Sequence, residues 1–436
     1  MNISKLLPKT ALAFITIFSS ISLPFHGVTA LEKSHDNPKY NFFIAQNAKN
    51  SISTEQIKQV AKNQNATLIQ YSLLSDKTQE AELAIWVIKP TGEVTMRRVD
   101  LKALQQKSKY SLSELIKKGR NKIGVGSNYN KGLEVAPYKE NNDTKSLNQL
   151  HKILIQPIAD LLPKNPIRRV TFIPQGSLFL VPFAALQDNN GKYLIEKHTI
   201  STAPSIQALD LLHQRKTARN NQKPFVPTTM TDDELLIVGN PTAPKVSLTK
   251  GDSCKPPSLP GAEKEAKNIA RRFKTQPLIG DAATETAIVQ KMPGARIIHL
   301  AAMTYPEDCK TNNSPGVVAL ASSNQDDGWL RTSEIQNLNL KADLVVLSGS
   351  ETALGKITGD GVVGLSRAFL SAGSDSVIGT LWAADDMSMA FLMTEFYSKL
   401  SKNTDKAGAL RQAMLETMKK HPNPRDWAGF TLVGLL

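Results

Sequence analysis

The apolar and polar positions of the chain change their pattern partway along, and the change separates two regions. In residues 51–146, short strands follow an amphipathic helix predicted at Thr54–Lys62. The strands are predicted at Thr67–Leu74, Glu82–Ile88 and Glu93–Val99. The turn Pro90-Thr91-Gly92 joins the last two strands as a hairpin. We therefore expect a small α+β region here, which ends in a polar linker from Gly126 to Ser146.

From residue 147 to residue 436, strands alternate with helices, which is the pattern of a three-layer α/β domain with a mostly parallel sheet. Arg296–Ala301 and Ala342–Leu347 are near-continuous apolar runs, as expected of strands that are buried on both faces. Further strands are predicted at Arg168–Pro174, Leu235–Gly239, Ser376–Leu381 and Trp427–Val433. Helices are predicted at Ala262–Phe273, Met387–Leu400 and Asp405–Lys419, the last with Asp405 as its N-cap.

The N-terminal end, residues 1–30, has the parts of a secretory signal peptide. Two lysines precede an apolar run from Thr10 to Phe25, and Val28-Thr29-Ala30 supplies small residues before a cleavage point. The run is shorter than the ~20 residues that a spanning helix needs, so an uncleaved anchor is the weaker interpretation. We expect residues 31–50 to be a disordered leader, and the mature protein to be secreted or periplasmic.

The composition narrows the classes of partner. The chain has 53 Lys and Arg residues against 39 Asp and Glu residues, a formal net charge of +14. These basic residues are spread along the chain without interleaved aromatic residues, so a nucleic-acid partner is not expected. The sequence has no HExxH, CxxC or Walker pattern, and we expect neither a metal nor a cofactor. Charge alone does not choose among acidic proteins, polysaccharides and anionic lipid surfaces.

Two motifs resemble those of a known family. The segment Ala342–Trp382, ADLVVLSGSETALGKITGDGVVGLSRAFLSAGSDSVIGTLW, resembles the nucleophile segment of the CHAT domain, a caspase-like peptidase family related to separase. The segment 168–186, RRVTFIPQGSLFLVPFAAL, resembles another signature of that family. The resemblance covers about residues 51–436 and implies a caspase-like three-layer αβα domain, preceded by the small α+β region.

The family pattern assigns a catalytic dyad to two strand ends, and this chain departs from it there. The pattern has His followed by Gly where Met303 and Thr304 stand, Cys where Ser350 stands and Gly where Ala353 stands. A serine hydroxyl is a weak nucleophile without a base, and a methionine thioether is only a weak acceptor. The nearest imidazole in sequence, His299, is about 13 Å back along an extended strand, and we expect it to be buried and structural. No catalytic residue is therefore expected.

Three acidic residues lie near the same strand ends. The resemblance implies that Asp360, Asp385 and Asp386 line a pocket for a Lys or Arg side chain. An alternative is that Asp386 caps a helix that begins near Met387 and that Asp360 caps one that begins near Gly361. Both interpretations stay open, and a cap can also be part of an acidic wall.

The two cysteines, Cys254 and Cys309, match no nucleophile position. An even pair in an exported protein predicts a disulfide, and the two loops that carry them both leave the carboxyl end of the sheet. The alternative is a pair of unrelated thiols.

Three functional hypotheses follow from the sequence. The first is an exported, catalytically inactive peptidase homologue that binds a peptide or protein. In one version of this hypothesis, the ligand is basic. The second is an active hydrolase that cleaves after Lys or Arg with Ser350 as its nucleophile. The third is an extracytoplasmic scaffold whose cleft is unused. The sequence does not identify the partner or the oligomeric state.

Overall fold

The computed structural model describes residues 52–76, 79–125, 145–219, 224–244, 256–306, 316–350, 352–353, 355–358, 361–402 and 405–436. The predicted signal peptide and leader, most of the predicted linker, Cys254, Cys309 and Asp360 lie outside these ranges. The linker ends earlier than predicted, because a helix begins at Lys145.

The elements have the following bounds. The strands are β1 Ala66–Asp76, β2 Gln79–Ile88, β3 Val94–Asp100, β4 Arg169–Ile173, β5 Thr199–Thr202, β6 Leu235–Pro241, β7 Leu278–Gly280, β8 Ile297–Ala301, β9 Thr304–Pro306, β10 Gly316–Ala319, β11 Trp329–Arg331, β12 Leu344–Leu347, β13 Lys356–Thr358, β14 Gly361–Val363, β15 Ser376–Thr380 and β16 Phe430–Gly434. The helices are α1 Thr54–Gln64, α2 Leu101–Ser108, α3 Leu112–Lys122, α4 Lys145–Leu154, α5 Leu194–Lys197, α6 Ile206–Ala218, α7 Pro260–Phe273, α8 Glu285–Lys291, α9 Thr332–Asn337, α10 Leu365–Ala372, α11 Asp386–Leu400, α12 Lys406–Lys420 and α13 Pro424–Trp427.

Within the described residues, eleven strands form one sheet in the order β3-β2-β1-β4-β5-β16-β15-β12-β8-β6-β7. The N-terminal hairpin is part of this sheet, because β1 pairs in parallel with β4 and places Leu68 opposite Thr171. The region predicted as a separate α+β element is thus continuous with the α/β part.

The sheet contains two parallel halves that run in opposite directions. The strands β1, β4, β5 and β16 are parallel to one another. The strands β15, β12, β8, β6 and β7 form the second parallel set. The halves meet where β15 and β16 pair in antiparallel fashion. The carboxyl ends of β8 and β12 therefore lie at one edge of the sheet, next to each other.

Helices cover both faces of the sheet and complete three layers. On one face, α7, α11 and α12 contribute Ile269, Phe396 and Leu410 to a buried cluster. On the other face, α8 and α10 contribute Ile288 and Phe369 to a second cluster. The predicted three-layer αβα fold with a mostly parallel sheet is confirmed.

Local capping explains several helix boundaries. Asp405 caps α12 as predicted, since its Oδ1 accepts a hydrogen bond from Gly408 N at 2.8 Å. The strand predicted at Trp427–Val433 begins later, at Phe430, because Asn423 caps the short helix α13 just before it.

No helix in the described ranges is both long and apolar enough to cross a membrane.

Candidate functional site

The candidate site lies where β8 and β12 end. These parallel neighbours place His299 opposite Val346 and Leu300 opposite Leu347. Because parallel strands end at the same edge, Met303 and Ser350 come to the same place from segments that are far apart in sequence. The structure thus brings together the two positions that the family resemblance assigns to a dyad.

The side chains of Ser350 and Met303 face each other. The Ser350 Oγ atom lies 4.0 Å from Met303 Sδ. Met303 is buried in a small apolar cluster with Tyr305, Val317 and Trp329 of the three-stranded sheet β9–β11. A thioether sulfur is a weak acceptor and carries no titratable proton near neutral pH. The contact therefore supplies packing and gives the hydroxyl no base.

Thr304 contacts the same residue through a different atom. Its Oγ1 donates a hydrogen bond to the backbone carbonyl of Ser350, and its side chain is buried. The residue before Ser350 also approaches β8 closely: a Cβ atom on Gly349 would lie 2.3 Å from the carbonyl oxygen of Ala302. Glycine is required at this position because no side chain fits between the two strand ends.

The residues after Ser350 are held by the end of β15. The Thr352 hydroxyl accepts a hydrogen bond from Thr380 N at 2.8 Å and donates one to Leu347 O at 3.0 Å. Ala353 N donates to Thr380 O at 2.8 Å. The segment is thus fixed to the ends of both β12 and β15, while the side chains of Ser350 and Ala353 remain half-buried at its surface.

His299 is fully buried behind the site, as predicted for a structural histidine. Its Nε2 lies 2.9 Å from Glu265 Oε1 on α7, and its Nδ1 lies 3.2 Å from the Tyr397 hydroxyl on α11. Burial raises the pKa of Glu265, and the neighbouring side chains of His299 and Ser348 act against that rise. This polar cluster links β8 to the two helices on one face and to the loop that carries Ser350.

The acidic residues at the rim have backbone partners. Asp385 is the N-cap of α11, and its Oδ2 accepts hydrogen bonds from Met387 N at 3.1 Å and Ser388 N at 3.0 Å. Asp386 contacts a different helix, α7, where its Oδ2 accepts from Gly261 N at 2.5 Å. Burial raises the pKa of Asp386, and the bonds from the α7 backbone act against that rise.

The capping alternative drawn from the sequence needs two corrections. Asp385, and not Asp386, caps α11, because Asp385 has the extended backbone that an N-cap requires and the helix begins at Asp386. The helix predicted to begin near Gly361 begins at Leu365, with Gly364 as its N-cap, because residues 361–363 form the strand β14. A cap on that helix by Asp360 is therefore wrong.

One other sequence prediction concerns residues that the structure does not describe. Cys254 and Cys309 lie outside the described ranges, so the disulfide stays a prediction. Across the described ranges, no group of three or more His, Cys, Asp and Glu side chains has an arrangement that holds a metal ion.

Comparison with known proteins gives the family. The sequence model of the CHAT domain matches residues 144–435. The chain belongs to the CHAT domain family. This CHAT domain is also 28% identical, across 80% of its length, to tetratricopeptide repeat protein 28 of Mus musculus. It is 27% identical, across 70% of its length, to the protein of the same name in Homo sapiens. It spans 15% and 14% of the lengths of these two relatives.

Two solved structures are similar to this CHAT domain. The separase of Saccharomyces cerevisiae in its separase–securin complex superposes with a TM-score of 0.51 at 14% identity, covering 87% of this chain and 30% of that one. The Arg-specific cysteine proteinase gingipain R superposes with a TM-score of 0.41 at 10% identity, covering 77% of this chain and 76% of that one. The separase similarity supports a caspase-like fold.

Sequence reasoning missed two members of the polar cluster in this CHAT domain. Glu265 lies on α7 among the apolar positions Ala262, Ala266 and Ile269, so it faces the sheet and is 1% exposed. A carboxylate within an apolar helix stripe was the available signal. Tyr397 lies on α11 and gives no comparable signal, because tyrosine is common in cores.

Proposed function

We propose that this CHAT domain is an exported, catalytically inactive peptidase homologue that binds a peptide or protein segment where β8 and β12 end. The observation that carries the proposal is the 4.0 Å contact between Ser350 Oγ and Met303 Sδ. An attacking hydroxyl needs a base at hydrogen-bond distance. Among the described residues, the side chain facing this hydroxyl is a thioether, which takes no proton near neutral pH.

The site retains features that suit binding. In open α/β sheets, ligands collect beyond the carboxyl ends of parallel strands. Ser350 and Thr352 are fixed there by hydrogen bonds with Thr304 and Thr380, so the half-buried Ser350 side chain is presented on a rigid support. A rigid surface loses little conformational entropy when it binds, which favours affinity.

Related proteins support a protein or peptide as the ligand class. The yeast structure holds separase in complex with securin, so a protein with this fold binds another protein. The mouse and human relatives are named for tetratricopeptide repeats. Each of these chains is several times longer than the part that this domain matches, so their partners are not transferred to this chain.

A basic ligand is a separate expectation, which rests on the family resemblance. Asp385 and Asp386 already accept hydrogen bonds from backbone N–H groups. Each carboxylate has further lone pairs, so a guanidinium contact is compatible with those bonds. The affinity of Arg-containing peptides for the wild type and for an Asp385→Asn, Asp386→Asn double variant tests this expectation.

Export is the other part of the proposal. It rests on the signal-like residues 1–30. N-terminal sequencing of the protein from periplasm or medium should start near Leu31. Recovery of the protein from the cytoplasmic fraction, with Met1 or Asn2 at its start, would contradict export.

Selection of peptides on the purified mature protein tests binding and inactivity together. A displayed library of random peptides should give an enriched motif, and mass spectrometry should recover the selected synthetic peptides intact after long incubation. A Ser350→Ala variant should select the same motif. Failure to enrich any motif would contradict the binding proposal. Fragments cut at one position by the wild type alone would contradict inactivity.

A further inference from the structure

The sheet has a weak seam between β5 and β16. These parallel strands are aligned at one residue pair, Thr202 with Val433. By contrast, β4 and β5 are aligned at four pairs and β15 and β16 at five. A side-chain contact also bridges the seam, where Thr202 Oγ1 lies 3.1 Å from Thr431 Oγ1. A cavity lies along this seam and is lined by residues of both strands.

The cavity has mainly apolar walls and the size of one large side chain. Its walls include Phe179, Phe183, Ile200, Leu381, Phe430 and Leu432. The cavity volume is about 70 Å³. Since one water-sized group needs about 10–15 Å³, about five to seven such groups fit inside. A Leu, Met or Phe side chain fits within this volume.

The cavity adjoins the candidate site. Ala353 forms part of its wall and lies three residues after Ser350. Ser366, which is also in the wall, donates a hydrogen bond from Oγ to Thr352 O at 3.1 Å. The loop that presents Ser350 is therefore also one wall of the cavity. A peptide bound at the end of β12 has a pocket for one apolar side chain within reach.

Two arginines also line the cavity. Arg367 and Arg411 both line the cavity. The guanidinium of Arg411 is held in place by hydrogen bonds from Nε to Ile195 O at 2.9 Å and from Nη2 to Glu196 O at 2.7 Å. Burial lowers the pKa of Arg411 by more than the charge of Glu196 raises it. A carboxylate placed beside the cavity would offset that cost of burial.

We infer that this cavity is a specificity pocket that takes a Leu, Met or Phe side chain of a peptide, with a carboxylate next to it in the ligand. The carboxylate is either an Asp or Glu side chain or the C-terminus of the peptide. The inference rests on the proposed function, because it assigns a ligand class to the proposed binding site. It differs from the basic ligand that the family resemblance implies.

Small probes test the pocket without any peptide. N-acetyl-L-phenylalanine carries the apolar side chain and the carboxylate, N-acetyl-L-phenylalaninamide lacks the carboxylate, and N-acetyl-L-serine lacks the apolar group. In ligand-observed NMR titrations of the mature protein, we expect the first probe to bind at least about tenfold more tightly than the serine compound. We also expect it to bind several-fold more tightly than the amide. Equal binding of all three probes would overturn the inference.

Variants locate the probe in the pocket. Ala353→Leu fills the cavity from its wall and should weaken N-acetyl-L-phenylalanine binding by at least about tenfold. Leu381→Ala enlarges the cavity and should shift the preference toward N-acetyl-L-tryptophan. Ala159→Leu adds the same group at an exposed position and is the matched control. An affinity that neither Ala353→Leu nor Leu381→Ala changes, in variants with wild-type circular dichroism, would also overturn the inference.

Peptides separate failure of the pocket from failure of the proposed function. A selected motif with an apolar residue beside Asp or Glu, or beside a free C-terminus, supports both proposals. Amidated peptides then distinguish the two sources of the carboxylate. A selected Lys- or Arg-rich motif that Ala353→Leu does not affect overturns the pocket and leaves the proposed function standing. Binding of N-acetyl-L-phenylalanine without any selected peptide supports the pocket and contradicts the proposed function.

Discussion

The hydroxyl of Thr304 donates a hydrogen bond to the backbone carbonyl of Ser350. The two residues lie 46 positions apart in sequence and meet because β8 and β12 are neighbours. This bond ties the loop after β12 to the end of β8.

Replacement of Thr304 by valine should destabilise the protein without changing the shape of the side chain much. The Thr304→Val variant leaves the Ser350 carbonyl without its donor, and a buried polar group that loses its partner costs about 1–3 kcal/mol. Urea denaturation of both proteins measures the difference in the free energy of unfolding. Thr217→Val removes an exposed hydroxyl on α6 and should change the free energy by less than about 0.5 kcal/mol. Equal values for Thr304→Val and the wild type would mean that the bond does not hold the loop.

The close approach at Gly349 predicts a second stability effect. In Gly349→Ala, the new Cβ would meet the Ala302 carbonyl oxygen at 2.3 Å, so the strand ends must separate. We expect a loss of about 1–3 kcal/mol in thermal or urea unfolding. Gly294→Ala is the matched control, because its nearest atom to the new Cβ is 3.7 Å away. A Gly349→Ala protein as stable as Gly294→Ala would refute the tight packing of the two strand ends.

A buried carboxyl group away from the site predicts a pH dependence of stability. Burial and the nearby charges of Glu334, Asp326 and Asp327 raise the pKa of Glu285 from 4.5 to about 7, against the opposing charge of Arg331. Between pH 4.5 and 7 the folded protein therefore holds a proton that the unfolded chain has released. The contribution of Glu285 to the free energy of unfolding is therefore largest below pH 4.5. It falls by up to about 3 kcal/mol as the pH rises to 7.

The Glu285→Gln variant should lose this pH dependence. Glutamine cannot ionise, so the variant should be more stable than the wild type at pH 8 and nearly equal to it at pH 4.5. Urea denaturation across this range measures both curves. Parallel curves for the two proteins would contradict the raised pKa of Glu285.

The predicted disulfide between Cys254 and Cys309 has a direct chemical test. Mass mapping of unreduced mature protein should recover both cysteines in one linked fragment. On the chain-entropy model, a bridge over this length of chain stabilises the fold by about 4 kcal/mol, so reduction should lower the midpoint of unfolding markedly. A Cys254→Ser, Cys309→Ser double variant should match the reduced protein. Two freely alkylated thiols in the native, unreduced protein would exclude the bridge.

The sequence predicts the positions of the strands better than it predicts which strands pair. The strands β8 and β12 are identifiable because burial on both faces requires near-continuous apolar runs. The pairing of β1 with β4, which sets Leu68 opposite Thr171, is not predictable from local pattern, because the two strands are about a hundred residues apart. The predicted α+β region therefore joins the large sheet through a pairing between segments that are far apart in sequence.

Some features of the candidate site are also predictable from the sequence, and others are not. The meeting of Met303 and Ser350 follows from motif order and from the rule that parallel strands end at one edge. The bond between Asp386 and Gly261 does not, since it depends on how α7 and α11 pack. The apolar cavity is harder still, because its walls come from segments that extend from Pro174 to Val433.

The reactivity of Ser350 tests the central claim most directly, because it does not require the substrate to be known. A fluorophosphonate reacts with serine hydroxyls that an adjacent base activates, and intact-protein mass spectrometry detects the adduct. With Met303 Sδ facing the hydroxyl, we expect native mature protein to remain unlabelled at Ser350, while a serine peptidase in the same tube is labelled fully. Stoichiometric labelling of Ser350 that disappears on unfolding would contradict an inactive site and establish a serine hydrolase.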